Sequence, residues 1–431
     1  MTKDLPPGWT QTRLGDLGVE IRGQLTPEPA AIYDLYSVPT FPTGRPERIE
    51  GTQAKSGKRV VQPDDVLLCK INPRINRVWV VGQAEGVPQI SSTEYLVLRP
   101  HEPRMSNFIQ QYLSSPRFRD WIKLSVEGAT GSHTRAKSGP ILQQPIPVAP
   151  LAEQERIVAA IEEHFTRLDA VDYAPGVARM RLEALRRSAA AELFNQQGWT
   201  WTALGEIAEL KGGITKDSKR ETDPDFVEYP YLRVANVQRG FLDLAQVTTI
   251  RADPHKAAKL VLEPGDILFN EGGDRDKLGR GWVWEGQIAN CIHQNHVFRA
   301  RLTDGDFDPY FISMHANTWG QRWFETHGKQ TTNLASINLM TLKSFPVPAP
   351  PLDEQRAVVD ELQSIMRSAD RLRANLDRAE QRAKTLRRAI LSRAFSGQLV
   401  PQDPNDEPAP LLLERIAASR RAKPMPQSVS A

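Results

Sequence analysis

Two pairs of short polar stretches in this 431-residue chain gather the side chains that hydrogen-bond to base edges and phosphates. The first pair is Lys70-Ile71-Asn72-Pro73-Arg74-Ile75-Asn76-Arg77 and Asn270–Arg280. It offers Lys70, Asn72, Arg74, Asn76 and Arg77 in one stretch, and Asn270, Arg275, Lys277 and Arg280 in the other. The second pair is Thr130–Lys137 and Gly328–Asn333. Its candidates are Thr130, Ser132, His133, Thr134, Arg135 and Lys137, then Lys329, Gln330, Thr331, Thr332 and Asn333. Arginine and lysine suit guanine, amides suit adenine and hydroxyls suit either. Cations and backbone amides hold phosphates. Loops on a rigid frame are where such groups work. The plainer alternative is that these are solvated loops that diverged freely.

Other chemistry finds little support. His293-Gln294-Asn295-His296 has two imidazoles but no third ligand at useful spacing, so no metal is expected. Gln294 and Asn295 read instead as polar strand residues or base readers. An amino-methyltransferase needs an Asn- or Asp-Pro-Pro-aromatic motif. Asp308-Pro309-Tyr310-Phe311 lacks the second proline, and no glycine-rich cofactor loop precedes it. No Gly-x-x-x-x-Gly-Lys loop occurs to cradle a triphosphate. Pro63-Asp64-Asp65 is not followed by the acid-x-lysine of a metal-dependent nuclease, so Asp65 and Asp266 read as turn residues before buried strands. No catalytic residue and no cofactor is expected.

Hydrophobic residues make up 40% of the chain and charged residues 25%, which suits two or three globular domains with real cores. The formal net charge is only +3, so any nucleic-acid surface is a local patch. Cys69 and Cys291 stand alone and read as reduced thiols of a cytoplasmic protein. Met1–Pro7 has no apolar signal-peptide core, and no run of about 18 apolar residues exists to span a membrane.

What must position the polar stretches is written twice. Pro147-Val148-Ala149-Pro150-Leu151-Ala152-Glu153-Gln154 returns as Pro348-Ala349-Pro350-Pro351-Leu352-Asp353-Glu354-Gln355, an offset of 201. Leu185-Arg186-Arg187 returns as Leu386-Arg387-Arg388, and Phe194 as Phe395, at the same offset. Upstream, Pro63-Asp64-Asp65-Val66-Leu67 matches Pro264-Gly265-Asp266-Ile267-Leu268. The openings match too, Gly8-Trp9-Thr10 with Gly198-Trp199-Thr200, and Leu14-Gly15-Asp16 with Leu204-Gly205-Glu206. Constant frames around differing loops are what two readers of different sequences require.

Each copy begins with short β-rich runs between Gly- and Pro-rich turns and ends in a long helical stretch. Val158, Ile161, Phe165 and Leu168 follow coiled-coil seam spacing, as do Val359, Leu362, Met366 and Ala369. Glu153 and Glu354 fall in first turns, where a carboxylate favours the helix dipole. Pro175-Gly176 interrupts the first helix, and a kink or break is expected there. The second helix should run more smoothly.

The order globular domain, long helix, globular domain, long helix, with Pro-Leu-x-Glu-Gln opening each helix, resembles the specificity subunits of type I restriction-modification systems. Tyr231–Val237 is similar to their second strand region, which adds Arg233 and Asn236 to the candidate DNA contacts. Ala394–Pro408 is similar to their C-terminal stretch. The resemblance implies an α+β fold with two target-recognition domains separated by two long antiparallel helices in a pseudo-twofold repeat. Residues 1–150 and 198–351 would be the recognition domains, 151–197 and 352–400 the helical spacers, and 401–431 a tail with a short helix. Each domain would read half of a bipartite, asymmetric sequence in double-stranded DNA. The subunit would be non-catalytic and would gather two adenine methyltransferase subunits and the motor-nuclease subunits. Arg186-Arg187 and Arg387-Arg388 are candidate docking points for them. Two other readings compete: a fused nuclease–recognition protein with a hidden site, excluded if the chain alone leaves DNA uncut, and a coiled-coil scaffold, excluded by salt-dependent DNA binding.

Overall fold

The structure, a computed structural model, describes residues 5–54, 56–125, 134–195, 197–216, 223–330 and 335–422. It divides into two compact units, Met1–Pro175 with Asp377–Ala431, and Gly176–Leu376. Both mix α and β structure.

In the first unit, Val66–Cys69 is buried at every position. Side chains alternate across a strand, so this apolar run feeds two layers. Val66 and Leu68 join the core built with Phe108, Ile109, Tyr112 and Leu113 of the Ser106–Ser114 helix. Leu67 and Cys69 join Tyr36, Trp79, Tyr95 and Val97 on the other face. The sheet order is Gly18–Glu20, Tyr95–Pro100, Val66–Cys69, Val78–Val80, all antiparallel. A second sheet runs Glu47–Glu50, Ile32–Tyr36, Gln89–Ser92, Lys58–Val60, with Ile32–Tyr36 parallel to Gln89–Ser92. The Ala409–Ala422 helix places Ala409, Leu412 and Ile416 in the first core, together with Leu391, Ala394 and Phe395. Phe395 meets Phe108 and Tyr112 edge-on, ring centroids 5.1 and 5.3 Å apart.

The second unit repeats the plan. Its main sheet runs Ala208–Gly212, Val297–Leu302, Ile267–Asn270, Gly281–Val283, all antiparallel. Ile267 and Phe269 face one core and Leu268 the other. The smaller sheet runs Thr248–Ala252, Val227–Leu232, Ile292–His293, again with one parallel pairing.

Two 43-residue helices, Leu151–Leu193 and Leu352–Ala394, each give one half to each unit. Within each unit the halves run antiparallel. In the first, Arg387 Nη2 donates to Asp169 at 2.7 Å, and its guanidinium lies 5.2 Å from the Phe165 ring centre. In the second, Arg186 Nη2 reaches Asp370 at 3.1 Å and its Nε donates to Met366 Sδ at 3.1 Å. Every partner here has its repeat equivalent in the other unit. Arg186 and Arg387 are therefore staples between helices. The expected break at Pro175 is absent, since the helix runs from Leu151 through Leu193. An internal proline costs a helix one hydrogen bond and roughly 3 kcal/mol. Packing of the flanking halves, through Ile157 and Ile161 on one side and Ala190 and Phe194 on the other, offsets that cost.

Candidate nucleic-acid interface

The repeated motifs turn out to be one clasp made twice. Thr10–Arg13 pairs antiparallel with Pro145–Val148, and Trp201–Ala203 with Pro346–Pro348. The Trp9 indole N–H donates to Glu153 Oε2 at 3.0 Å, and that of Trp199 to Glu354 Oε2 at 3.0 Å. Gln154 Nε2 donates to the Ala149 carbonyl at 2.8 Å, and Gln355 Nε2 to that of Pro350 at 2.9 Å. The Gly-Trp opening and the Pro-Leu-x-Glu-Gln segment thus tie each domain's start to its helix. The first-turn glutamates serve an indole as well as the helix dipole.

The second repeated motif anchors the strand that carries the first loop. Asp65, fully buried, accepts from Arg99 Nε and Nη2 at 2.8 Å each and from the Gln62 amide at 2.9 Å. Asp266 accepts from Arg301 Nε and Nη2 at 2.7 Å each and from the Glu263 amide at 2.7 Å. Both turns pass through positive φ, at Asp64 (69°) and Gly265 (95°). Held bidentately by their aspartates, Arg99 and Arg301 have pKa values raised above the usual arginine value.

On these anchors the two candidate loops of each unit lie side by side. In the first unit Ile71 bridges Arg135, the Asn72 amide donates to Thr134 O at 2.8 Å, and the Ala136 amide to Lys70 O at 2.9 Å. Arg74 and Asn76 are exposed, Lys70, Asn72 and Arg77 half-buried, and Thr134 buried. Arg135 is exposed but paired with Glu94, and Lys137 is exposed. Burial, helped by Arg59 and Arg135, lowers the Lys70 pKa. Thr130, Ser132 and His133 lie outside the described residues. In the second unit Gly272–Gly273, Ala335–Ser336 and Lys329–Gln330 form a small sheet that brings its two loops together. Arg275 donates to the Glu325 carbonyl at 3.1 Å, Lys277 pairs with Asp274, and Lys329 is exposed. Thr331, Thr332, Asn333 and the Gln330 side chain lie outside the described residues. Arg280 Nη2 reaches Val234 O at 3.5 Å, which sets the 233–237 segment beside this loop. Its half-buried guanidinium has its pKa lowered by burial.

A model of the family described as "Type I restriction modification DNA specificity domain" matches residues 196–379. Over 97% of both chains, this one is 24% identical to the specificity subunit of the type I restriction enzyme EcoKI of Escherichia coli K12. Over 96% of both it is 24% identical to that of StySPI of Salmonella potsdam. Along nearly its whole length the chain resembles the type I restriction-modification specificity subunits, and residues 196–379 match their DNA specificity domain. In fold it resembles a chain solved in work on assembly and conformational transition of the type I system, with TM-score 0.74, 23% identity and coverage of 92% of this chain and 100% of that one. The HsdS subunit of Thermoanaerobacter tengcongensis gives 0.58 at 24% identity, covering 92% and 99%.

The geometry of the chain reassigns two candidate readers. Asn236 is buried, and its Nδ2 donates to the Asp243 and Gln246 carbonyls at 2.9 Å each. Asn270 is fully buried, with Nδ2 donating to Val234 O and Val237 O at 3.2 and 2.8 Å. Their amide donors close loops and are not presented to a base. Sequence cannot tell an asparagine that satisfies buried carbonyls from one facing outward. Arg233 is half-buried, its backbone amide donating to Asn236 Oδ1 at 2.9 Å. Gln294 and Asn295 are both half-buried. His293 is buried with Nδ1 2.7 Å from Val297 O, burial bringing its pKa down to about 4, while His296 Nδ1 sits 2.5 Å from Glu271. No group of three or more His, Cys, Asp or Glu close enough for a metal occurs among the described residues. No described helix is long and apolar enough to cross a membrane.

Two arginines that sequence reasoning passed over support the loops. Arg119, buried, donates through Nη2 to the Pro73 carbonyl, and burial pulls its pKa down to about 10. Arg239 donates to Asn317 O at 2.8 Å and Asp276 O at 2.7 Å. An arginine among the buried positions of an amphipathic helix, as in Phe118-Arg119-Asp120-Trp121-Ile122, was the available signal for the first.

Proposed function

We propose that each unit carries one recognition domain for one half of a bipartite, asymmetric duplex target. The helix pair joins the two domains of a pseudo-twofold repeat, and the chain directs two adenine methyltransferase subunits and the motor-nuclease subunits to that target in the cytoplasm. The observation that carries this reading is the identical frame under dissimilar loops. The clasp, the aspartate-anchored turn and the helix staple recur contact for contact, while Lys70–Arg77 and Asn270–Arg280 share almost no side chains. Selection for stability alone gives no reason to keep the frame and vary the loops. The exposed Arg74 and Asn76 in one unit, and the exposed Lys329 with the half-buried Asn295 in the other, have the donor chemistry for base edges or phosphates.

The test is a domain exchange. The chain is co-expressed with its methyltransferase subunit, and residues 1–150 are replaced by those of another specificity subunit. Mapped adenine methylation should change in one half of the target and stay constant in the other. A change in both halves would show joint reading by the two domains.

A further inference from the structure

Beyond the paired loops, the first unit has a polar cleft of about 860 Å³ whose lining includes Asp34, Arg45, Arg48, Gln83, Glu85 and Gln89. Arg48 lies on the edge strand Glu47–Glu50, directly across from Asp34 on the neighbouring strand. Asp34 is buried, and its Oδ1 and Oδ2 accept from Arg48 Nε and Nη2 at 3.0 and 3.2 Å. The arginine side chain itself remains 51% exposed. Gln89, buried beside them, donates from Nε2 to the Gly82 carbonyl at 3.0 Å, while its Oε1 has no hydrogen-bond partner.

We infer that Arg48 reads a guanine in the half-site of the first domain and that Asp34 is its positioning residue. This rests on the DNA-reading function proposed above. The carboxylate takes the Nε–Nη2 edge of the guanidinium. At the Nη1–Nη2 end the exposed Glu85 carboxylate lies 3.7 Å from Nη2, a loose surface pair that an outside acceptor pair would displace. Guanine O6 and N7 are the major-groove pair that such an end grips bidentately. A buried carboxylate also distinguishes a base from a phosphate. It offsets the cationic charge that attracts phosphate, yet fixes the plane and direction of the N–H groups, on which a base contact depends. An arginine serving phosphates gains nothing from a buried acid beneath it. The second unit does not repeat the device. Leu35 pairs with Ile90 as Tyr231 pairs with Ile292, which equates Asp34 with Pro230 and Arg48 with Thr249. One sheet register thus carries different side chains in the two domains.

The test uses the full chain co-expressed with its methyltransferase subunit, with methylation mapped for wild type, Arg48→Lys and Asp34→Asn. Lysine keeps the charge but lacks the planar fork that holds Asp34 on one edge and the base on another. The expected result is loss of discrimination at a single G·C pair of one half-site, by about 5- to 150-fold for the lysine variant. A smaller loss at the same pair is expected for Asp34→Asn, and the other half-site should be unchanged. In a second arm, 7-deazaguanine at that position removes N7 from the DNA. Binding by the wild-type complex should fall, and by more than that of the Arg48→Lys complex. Unchanged discrimination, or a uniform loss over all sequences, overturns the inference and leaves DNA reading intact. A wild-type complex that methylates no bipartite motif overturns the function on which it rests.

Discussion

The same clasp is sealed in one unit and open in the other. Glu153 beneath Trp9 is buried, whereas Glu354 beneath Trp199 is exposed. The difference comes from the segment after the second long helix, which in the first unit closes over the domain. Ala409 donates its amide to the Gly8 carbonyl at 2.8 Å, and Arg156 holds Asp406 at 2.5 Å. Leu412 and Ile416 enter the core. The second unit has Ala357 at the position of Arg156, and the helix half that ends at Leu193 leads directly into the next domain. A duplicated frame therefore does not give duplicated burial. The domain that opens the chain is completed by residues from its far end.

The comparison breaks most visibly if that covering is removed. Ending the chain at Val400 exposes the pocket of Ala409, Leu412 and Ile416. At about 1.5–3 kcal/mol for each large side chain, the first unit should lose about 3–6 kcal/mol. Hydrogen exchange should rise in Thr10–Arg13 and leave Trp201–Ala203 at its wild-type rate. Equal changes in both strands would mean that the units do not unfold separately.

A smaller effect should fall on both units alike. Asp65→Ala and Asp266→Ala each remove a bidentate partner from a largely covered arginine and a cap from a turn. Each should cost about 1.5–3 kcal/mol in chemical denaturation. The two losses should agree within about 0.5 kcal/mol, since the contacts are the same. A marked inequality would show that the anchor has different roles in the two domains.

The smallest effect separates the clasps by pH. Burial raises the pKa of the Glu153 carboxyl above its usual value, against the opposing pull of the Trp9 indole and Arg156. A raised folded-state pKa contributes stability below the ordinary value near 4.5, and that contribution is lost as pH rises through the folded value. Glu153→Gln keeps an acceptor for the indole and removes the buried charge. It should therefore raise the melting temperature at pH 7.5, with the gain shrinking as pH approaches 4. Glu354→Gln, at an exposed carboxylate, serves as the control. A gain for Glu153→Gln that does not vary with pH would refute the burial argument.

Much of this architecture was legible because repetition marks contacts at both ends. Trp9 and Glu153 are far apart in sequence, yet both recur, and so do Arg186 and Arg387 with their partners. What escaped were features that occur once or rest on burial. The tail's docking leaves no repeat, since Ala409, Leu412 and Ile416 have no earlier counterpart. Pro175 is a local helix breaker overruled by packing far along the same helix. Asn236 and Asn270 have the composition of readers and the surroundings of loop ties. The Asp34–Arg48 pair needs a strand register to be seen at all, because 14 positions separate its members.

The tail's position also orders events during synthesis. Gly176–Leu376 is contiguous, so the second unit has all its parts once Leu376 leaves the ribosome. The first unit emerges earlier but is completed by Asp377–Ala431. At about 5–20 residues per second the intervening stretch takes on the order of tens of seconds. Throughout that interval the faces of Phe108 and Tyr112 that receive Phe395 stand uncovered. The domain made first is the domain finished last, and the nascent chain carries an open apolar face for most of its own translation.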